Sequence, residues 1–298
     1  MKKHNAAIIG YGNIGKYTLE ALLASTDFEV AGIVRRDASN VPDELKNFKV
    51  VDHISKLENV DVAILCSPTR SVETQAQAIL AMGINTVDSF DIHGEIWDLK
   101  QRLSPIAVAN NVVSIIAAGW DPGTDSVVRA LMEAMTSKSS IHTNFGPGKS
   151  MGHSVAAKAV KGVKDALSMT LPAGESKHRR EVYIQLEDGA DPAIVEHLLK
   201  TDDYFAHDDT QVIFVDDVSK HETADHGVNL VCKGISGQTP NQNMEFSMCI
   251  NNPALTAQVL VSVARASFKQ SPGCYTMIEL PMIDLLEGEK EYWIKKLV

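Results

Sequence analysis

The sequence predicts an α/β chain in two parts: a doubly wound parallel sheet over residues 1–119, then an α+β domain with an open mixed sheet over residues 120–269. Three observations carry this. Short apolar runs alternate with helical patterns from residue 6 to residue 118. The first run enters the glycine-rich turn Gly10-Tyr11-Gly12-Asn13-Ile14-Gly15. From Ser140 onward the rhythm changes to several strands with few helices.

With 298 residues, 44% of them hydrophobic, the chain can bury two cores. A net charge of −10 argues against a general nucleic-acid or anionic-membrane surface. The four cysteines, Cys66, Cys232, Cys249 and Cys274, make no C-x-x-C and no zinc spacing. They are expected as reduced, buried, small apolar residues, and no metal site is expected. Two N-terminal lysines precede a short strand rather than a long apolar segment, and no apolar run is long enough to span a bilayer. The expectation is a soluble cytoplasmic protein with neither nucleic-acid nor membrane partners.

Ala6-Ala7-Ile8-Ile9 is wholly apolar, as a central parallel strand requires. Leu19, Leu22 and Leu23 follow at helical spacing, and Glu29-Val30-Ala31-Gly32-Ile33-Val34 gives a second strand. In this setting the six residues 10–15 read as a Rossmann-type dinucleotide turn. Gly10 permits the tight turn, Gly12 lets a pyrophosphate approach the backbone, Gly15 lets the helix pack on the strand, and the helix N-terminus receives the anion. An NAD protein usually ends the second strand in Asp or Glu, for the ribose 2′-hydroxyl. Here Arg35-Arg36 stand there, with Asp37 just beyond. A guanidinium pair clamps a 2′-phosphate that a carboxylate would repel, so the charge pattern favours NADP over NAD.

Phe48-Lys49-Val50-Val51 is a weak strand, and residues 60–66 form a strong one leading into Ser67-Pro68-Thr69-Arg70. A helix over 72–82 and a strand over 84–88 continue the alternation. In such sheets the ligand crevice lies outside the carboxyl ends of the strands, which selects residues 10–15, 67–70, 88–93 and 119–123. Asp88 reads as a turn cap. Asp91 is either the N-cap of a helix through Ile96 and Leu99 or, at the crevice, a ligand for a cationic group. His93 is either a proton shuttle or a surface residue in that helix's first turn. Val112-Val113-Ser114-Ile115-Ile116-Ala117 reads as a buried strand, followed by a sharp turn on Gly119, Pro122 and Gly123 and a helix from about Asp125. Trp120 and Asp121 thereby fall where cofactor and substrate meet, although Trp120 is equally open to a plain packing role.

Beyond Ser140, Ile141-His142-Thr143-Asn144-Phe145 reads as a strand. Residues 146–152 read as a glycine-rich loop whose N–H groups could grip a carboxylate. A helix is expected over 153–167, with Lys158, Lys161 and Lys164 on one solvated face. In the strand 178–186 side chains alternate, so Arg180 shares the apolar inner face with Val182, Ile184 and Leu186, while Arg179 goes with Glu181 and Gln185. An inner-face arginine must be paired or lie at a pocket mouth, and a substrate carboxylate is a fitting bidentate partner. Further strands are expected over 211–215, 226–235 and 243–250. His226, which starts the second of these, is a pocket or a turn histidine. A helix over 252–268 opens with Asn252-Pro253, an N-cap with proline at N1, and Asn252 is also open to ligand contact. The tail over 277–298 is helical and amphipathic in part. One face of the open sheet must be covered by its own helices or by a second subunit.

These residues resemble the meso-diaminopimelate dehydrogenase family over nearly the whole chain. The resemblance rests on GYGNIG at 10–15, Arg35-Arg36, CSPT at 66–69, VDSFDIH at 87–93, AAGWDPG at 117–123, GPGKSMGHS at 146–154 and HRREVY at 178–183. The first is shared by many dehydrogenases; the last four are specific. The resemblance implies a homodimer, and a tail from about 270 to 298 that returns to the nucleotide domain. It implies reversible NADP-dependent oxidative deamination at the D-centre of meso-2,6-diaminopimelate. The products would be L-2-amino-6-oxopimelate, ammonia and NADPH, and the reverse reaction supplies lysine and peptidoglycan precursors. It places residues 10–15, Arg35 and Arg36, and Cys66, Ser67, Pro68 and Thr69 at the cofactor. It places Asp91 and Asp121 on the reacting ammonium and the backbone N–H groups of Met151 and Gly152 on the reacting carboxylate. Trp120 would pack over the substrate chain and Phe145 would line the pocket. Arg180, Thr170 and His226 would hold the distal L-carboxylate, with Asn252 nearby. Two carboxylates around one cation are sound electrostatics, and one with a raised pKa can accept a proton. Asp91, Asp121 and water all stay open as that acceptor.

A sugar-oxidising family with the same nucleotide domain carries Glu-Lys-Pro where this chain has Asp88-Ser89-Phe90. Homoserine- and dihydrodipicolinate-type reductases have less use for paired crevice aspartates. Two alternatives remain. Another NADP-dependent D-amino-acid dehydrogenase would not need Arg180, and a non-catalytic NADP sensor would need none of Asp91, Asp121 and Arg180. The crevice positions hold no lysine of the kind many amino-acid dehydrogenases use; Lys149, the nearest, reads as a loop residue.

Overall fold

A computed structural model describes residues 3–39, 41–174, 177–221 and 226–298. In chain order it runs β1 (His4–Ile9), α1 (Asn13–Ala24), β2 (Phe28–Val34), β3 (Val50–Val51), β4 (Val62–Leu65), α2 (Thr69–Leu80), β5 (Asn85–Asp88), α3 (Ile96–Ala109), β6 (Val113–Ile115) and α4 (Thr124–Met135). It continues with β7 (Lys138–Lys149), α5 (Met151–Lys158), β8 (Val163–Gly174), β9 (Lys177–Leu186), α6 (Pro192–Thr201), β10 (Asp209–Phe214), β11 (His226–Ser236), β12 (Thr239–Ile250), α7 (Asn252–Ser267), β13 (Gly273–Tyr275) and α8 (Lys290–Leu297). The chain divides into two units, Met1–Ala130 with Pro253–Val298, and Leu131–Asn252. Among the described residues, no helix is long and apolar enough to cross a membrane.

The first unit is built on a parallel sheet in the order β13-β6-β5-β4-β1-β2-β3. Its strands are apolar on both sides because both faces are covered. Alternate residues sort cleanly. Ala6, Ile8, Val62 and Ile64 pack with Leu19 and Leu22 of α1 and with α7. Ala7, Ile9, Ala63 and Leu65 pack with Val72 and Ile79 of α2 and Leu99 and Leu103 of α3. The expected boundary at residue 269 is corrected here. Val259, Leu260, Val261 and Val263 of α7 are buried in the first sheet's core, a gross gain of roughly 1.5–3 kcal/mol each. A helix pattern tells that one face is buried, not against which sheet. After α7, β13 adds a seventh strand beside β6.

The second unit is a mixed sheet in the order β10-β9-β8-β7-β11-β12. Only β9 and β10 pair in parallel, and α6 makes the crossover between them. Asp191 caps that helix by accepting from Ala193 N at 2.9 Å, with Pro192 at its first turn. Helices α5 and α6 cover one face around Ala166, Val182, Ile184, Val195, Leu199 and Phe205. β12 at the far edge is largely exposed.

Three expectations fail, two of them in this unit and one across both. The helix over 153–167 stops at Lys158, and Gly162, at φ +91°, turns the chain into β8. Residues 166–170 are all buried, so the strand lacks the alternation that would have marked it. Lys158, Lys161 and Lys164 therefore share no helix face, and Lys158 instead reaches Asp165 at 2.6 Å. The glycine-rich loop is strand as far as Lys149, which is thus no loop residue. Its glycines serve close strand approach: a Cβ on Gly146 would meet the Thr170 carbonyl oxygen at 2.2 Å. Finally, Cys232 and Cys274 are buried, but Cys66 is only half-buried and Cys249 is exposed on the edge strand.

Candidate active site

The first cluster is the turn after β1. Gly10 takes φ +95°, and a Cβ there would meet the Cys66 carbonyl oxygen at 2.9 Å and Ser67 Oγ at 3.1 Å. A Cβ on Gly15 would meet the Gly10 carbonyl oxygen at 2.3 Å, whereas one on Gly12 would meet nothing within 4 Å. The loop is thus closed beneath and open above Gly12. α1 begins with no side-chain cap and no acidic residue in its first turn, so its N–H groups and dipole suit an anion. Tyr11 and Ile14 pack against the core, and Asn13 is exposed. Arg35 and Arg36 follow the last residue of β2; Arg35 N donates to the Val51 carbonyl at 2.8 Å, Arg35 is half-buried and Arg36 exposed. Asp37 accepts from Ser39 N at 3.0 Å and Ser39 Oγ at 2.6 Å. These features fit a dinucleotide. Ser67 Oγ donates to the Ile9 carbonyl at 3.2 Å, and Pro68 and Thr69 open α2. Cys66 Sγ lies 3.4 Å from Thr18 Oγ1, and burial pushes its thiol up to about 12, so it contributes packing rather than a thiolate.

The second cluster lies past β5 and β6 in the same unit. Asp91 is exposed and accepts from Thr69 Oγ1 at 2.5 Å. It does not cap α3, whose N-cap position is Glu95. Residues 119–123 form a closed turn: Gly119 N donates to the Pro122 carbonyl at 2.9 Å and Thr124 N to the Gly119 carbonyl at 3.0 Å. Gly123, at φ +143°, has no room for a Cβ, which would meet the Gly119 carbonyl oxygen at 2.1 Å. Trp120 is buried at this turn. The Asp121 side chain is 13% exposed, 3.3 Å from Arg129 Nη2 and 3.9 Å from His93 Nε2. Arg129 also pairs with buried Asp125. Burial, and then the Asp125 charge, push Asp121 up to about 6 against the pull of His93 and Arg129. His93 is largely exposed, so it stands between Asp121 and solvent. Sequence reasoning missed Asp125 and Arg129. Their signal was the Asp125, Arg129 spacing of four on one face of α4, just after the turn that carries Asp121.

The third cluster belongs to the second unit. Strand register sets His226, Gly148, Thr170, Arg180 and Thr210 in one row across β11, β7, β8, β9 and β10. Residues in such a row face the same side. Arg180 is 7% exposed and sits on the inner face with Val182 and Ile184, while Arg179 is exposed. Its Nη1 donates to Thr170 Oγ1 at 3.0 Å, its Nε pairs with Asp208, and its Nη2 lies 3.2 Å from His178 Nε2. Among the described residues, each of the three guanidinium nitrogens thus has one partner, out of five N–H groups in all. His153 Nε2 is 3.7 Å from Asp208, and its Nδ1 is 2.9 Å from Ser150 Oγ. Burial and then the Arg180 charge lower His153 to about 4. His226 Nδ1 bonds the Lys149 carbonyl at 2.9 Å, and burial lowers its pKa too. Asp208, His153 and His178 were missed, because nothing local marks a residue before β10 as Arg180's partner. α5 opens with Met151 and Gly152, with no side-chain cap and no acidic residue in its first turn; the Met151 side chain lies outside the described residues. Phe145 lies in β7, half-buried, and Asn252 begins α7.

Comparison with known proteins agrees with both halves. A family model described as Diaminopimelic acid dehydrogenase C-terminal domain matches residues 119–252. One described as Oxidoreductase family, NAD-binding Rossmann fold, matches residues 4–87. The chain is 60% identical over 299 residues to the meso-diaminopimelate D-dehydrogenase of Bacteroides fragilis, covering 100% of both. It superposes on C. glutamicum DAP dehydrogenase in complex with DAP with a TM-score of 0.89 at 28% identity, covering 100% of both chains. An engineered D-amino acid dehydrogenase bound to NADP+ is similar at 26% identity with a TM-score of 0.83, again over 100% of both.

Proposed function

The chain belongs to the meso-diaminopimelate D-dehydrogenase family, and from that premise we propose that it catalyses the reversible NADP-dependent oxidative deamination of meso-2,6-diaminopimelate at its D-centre. The products are L-2-amino-6-oxopimelate, ammonia and NADPH. The observation that carries the two-ended substrate is buried Arg180, with Thr170 and His226 in its cross-strand row and more guanidinium N–H groups than its three side-chain partners engage. A simple D-amino acid has no distal carboxylate for that guanidinium.

Residues 10–15 would hold the pyrophosphate, and Ser67, Pro68 and Thr69 would border the cofactor with the Cys66 backbone. Arg35 and Arg36 would hold a 2′-phosphate, which supports NADP over NAD. When bound, the nicotinamide supplies the two-electron acceptor. The chain's own residues do the rest. Asp91 and Asp121 hold the reacting ammonium, and N–H groups of Met151 and Gly152 hold the adjacent carboxylate. The amine must lose a proton before its carbon can be oxidised. Asp121, raised to about 6, accepts it, and His93 passes it to solvent. Trp120 and Phe145 pack on the substrate chain, and Arg180, Thr170 and His226 take the distal L-carboxylate with Asn252 nearby. Water then attacks the imine carbon, and ammonia leaves. The half of the mixed sheet toward exposed β12 is offered to a second copy, giving a homodimer, which light scattering on the eluting protein tests.

The test is NADPH formation on adding meso-diaminopimelate to the protein with NADP. Turnover of the meso isomer and none of the L,L isomer is expected. Tight NADP binding without turnover would favour a sensor, and equal oxidation of simple D-amino acids would remove the two-ended grip.

A further inference from the structure

We propose that Asp88 is a positioning residue that clamps the two aspartate-bearing loops, 89–91 and 117–121, to each other through one carboxyl oxygen. The proposal deepens the reading above and rests on it for the roles of Asp91 and Asp121. Asp88 ends β5 and is fully buried. Its Oδ1 accepts from Phe90 N at 2.9 Å, on the way to Asp91, and from Ala117 N at 3.2 Å, on the way to Asp121. Its backbone carbonyl accepts from Ala118 N at 2.9 Å. A single residue therefore satisfies N–H groups on both loops, which would otherwise be buried without partners.

Two further features point the same way. Ala117 holds φ +53°, a left-handed conformation that an L residue keeps only when its surroundings impose it. The bond to Asp88 is part of that imposition. The loops also touch, since a Cβ on Gly119 would come within 3.3 Å of Ser89 Cβ. Phe90 anchors the near loop in the core and Trp120 the far one. The second oxygen, Oδ2, is buried with no hydrogen-bond partner among the described residues. Burial pushes the carboxyl up to about 7, and the two N–H bonds only partly oppose it. A neutral acid with Oδ1 as its carbonyl oxygen fits this environment, and the amide of Asn reproduces that oxygen. Leu fills similar space and offers no acceptor.

The experiment compares wild type, Asp88→Asn and Asp88→Leu as full chains. It reads NADP affinity, kcat and KM for meso-diaminopimelate, and amide hydrogen exchange in peptides spanning 86–92 and 114–121. Asp88→Asn should keep kcat within about threefold and keep both peptides protected. Asp88→Leu should leave NADP affinity unchanged, lose about 100-fold in kcat, the scale of a small misplacement of reacting groups, and speed exchange in both peptides together. If Asp88→Leu deprotects only the 86–92 peptide, or keeps wild-type kcat, the clamp is wrong. If Asp88→Leu does not fold, Asp88→Asn decides alone: a folded Asn variant that loses tenfold or more in kcat overturns the proposal. Exchange needs no substrate, so coordinated deprotection in a protein that never oxidises meso-diaminopimelate would sink the functional reading and leave the clamp standing.

Discussion

Replacing Arg180 by alanine should damage one end of substrate recognition and spare the other. Arg180 is buried, and its contacts are Thr170, Asp208 and His178. On the proposed function, removing it takes the distal carboxylate's cationic partner away and leaves Asp208, only partly exposed, beside His178 and beside His153, whose pKa burial lowers. Losing one partner of a buried hydrogen-bonded charge pair costs about 2–5 kcal/mol, which is roughly a 30- to 5,000-fold fall in kcat/KM. The assay measures initial rates of NADPH formation with meso-diaminopimelate and with D-norleucine, a D-amino acid with no distal charged group. Any loss of folded enzyme acts equally on both substrates, so the ratio isolates recognition. The ratio should fall by the full factor, with most of the change in KM, and Arg180→Lys should recover part of it by restoring charge without the fork. An equal loss on both substrates, or an unchanged ratio, would refute the assignment of Arg180 to the distal end.

Arg35→Ala and Arg36→Ala should each lower the NADP-to-NAD efficiency ratio by about 10- to 100-fold, the worth of a charge-assisted contact; a ratio that stays put removes the 2′-phosphate assignment. For Asp121 the ionised form must meet the ammonium, so kcat/KM should fall as pH drops through about 6. His93→Ala removes a charge that holds Asp121 down and should move that limb to higher pH, and a profile without a limb near 6 would exclude Asp121 as the acceptor. Asp88 carries the opposite message for stability. Its folded pKa, about 7, lies above its ordinary 3.8, so its contribution is fully present below 3.8 and is lost as pH rises through 7. Asp88→Asn should therefore gain on wild type between pH 4 and 8, by at most about 4 kcal/mol, as read from denaturant midpoints; a difference flat in pH would mean that Asp88 stays solvated.

The first sheet was legible because burial on both faces leaves a plain trace: short apolar runs such as 6–9 and 62–65, each followed by a helix with one apolar side. The same burial hid β8, where residues 166–170 show no alternation and joined the preceding helical pattern. α6 was passed over although Asp191-Pro192 announces it, since a start signal means little until the strands on either side are known to run parallel. α7 could be drawn as a helix from its residues, yet its partner core lies in strands far earlier in the chain, from β1 to β6, and local pattern carries no such address. Arg180 was found by alternation alone, because Val182, Ile184 and Leu186 follow it at every second position. Its row with Thr170 and His226 is a matter of strand register between segments far apart, which no single strand encodes.

Three aspartates near adjacent strand ends differ in ways that residue type conceals. Asp88 is sealed from water with two N–H donors, so burial dominates and its carboxyl tends to neutrality. Asp91 is exposed and takes a hydroxyl donor from Thr69. Asp121 lies between these limits. It is mostly desolvated and stands beside the charge of Asp125, yet Arg129 and His93 hold its rise to about 6. A proton acceptor at neutral pH needs a pKa close to the working range and a route for the proton to leave. Asp88 has no route. Asp91 is open to solvent and held by the Thr69 hydroxyl. Asp121 combines a raised pKa with an exposed imidazole 3.9 Å away. On the proposed function, environment rather than residue type would give the acceptor's role to Asp121, leave Asp91 as the second anion on the ammonium, and keep Asp88 as the group that holds both in place.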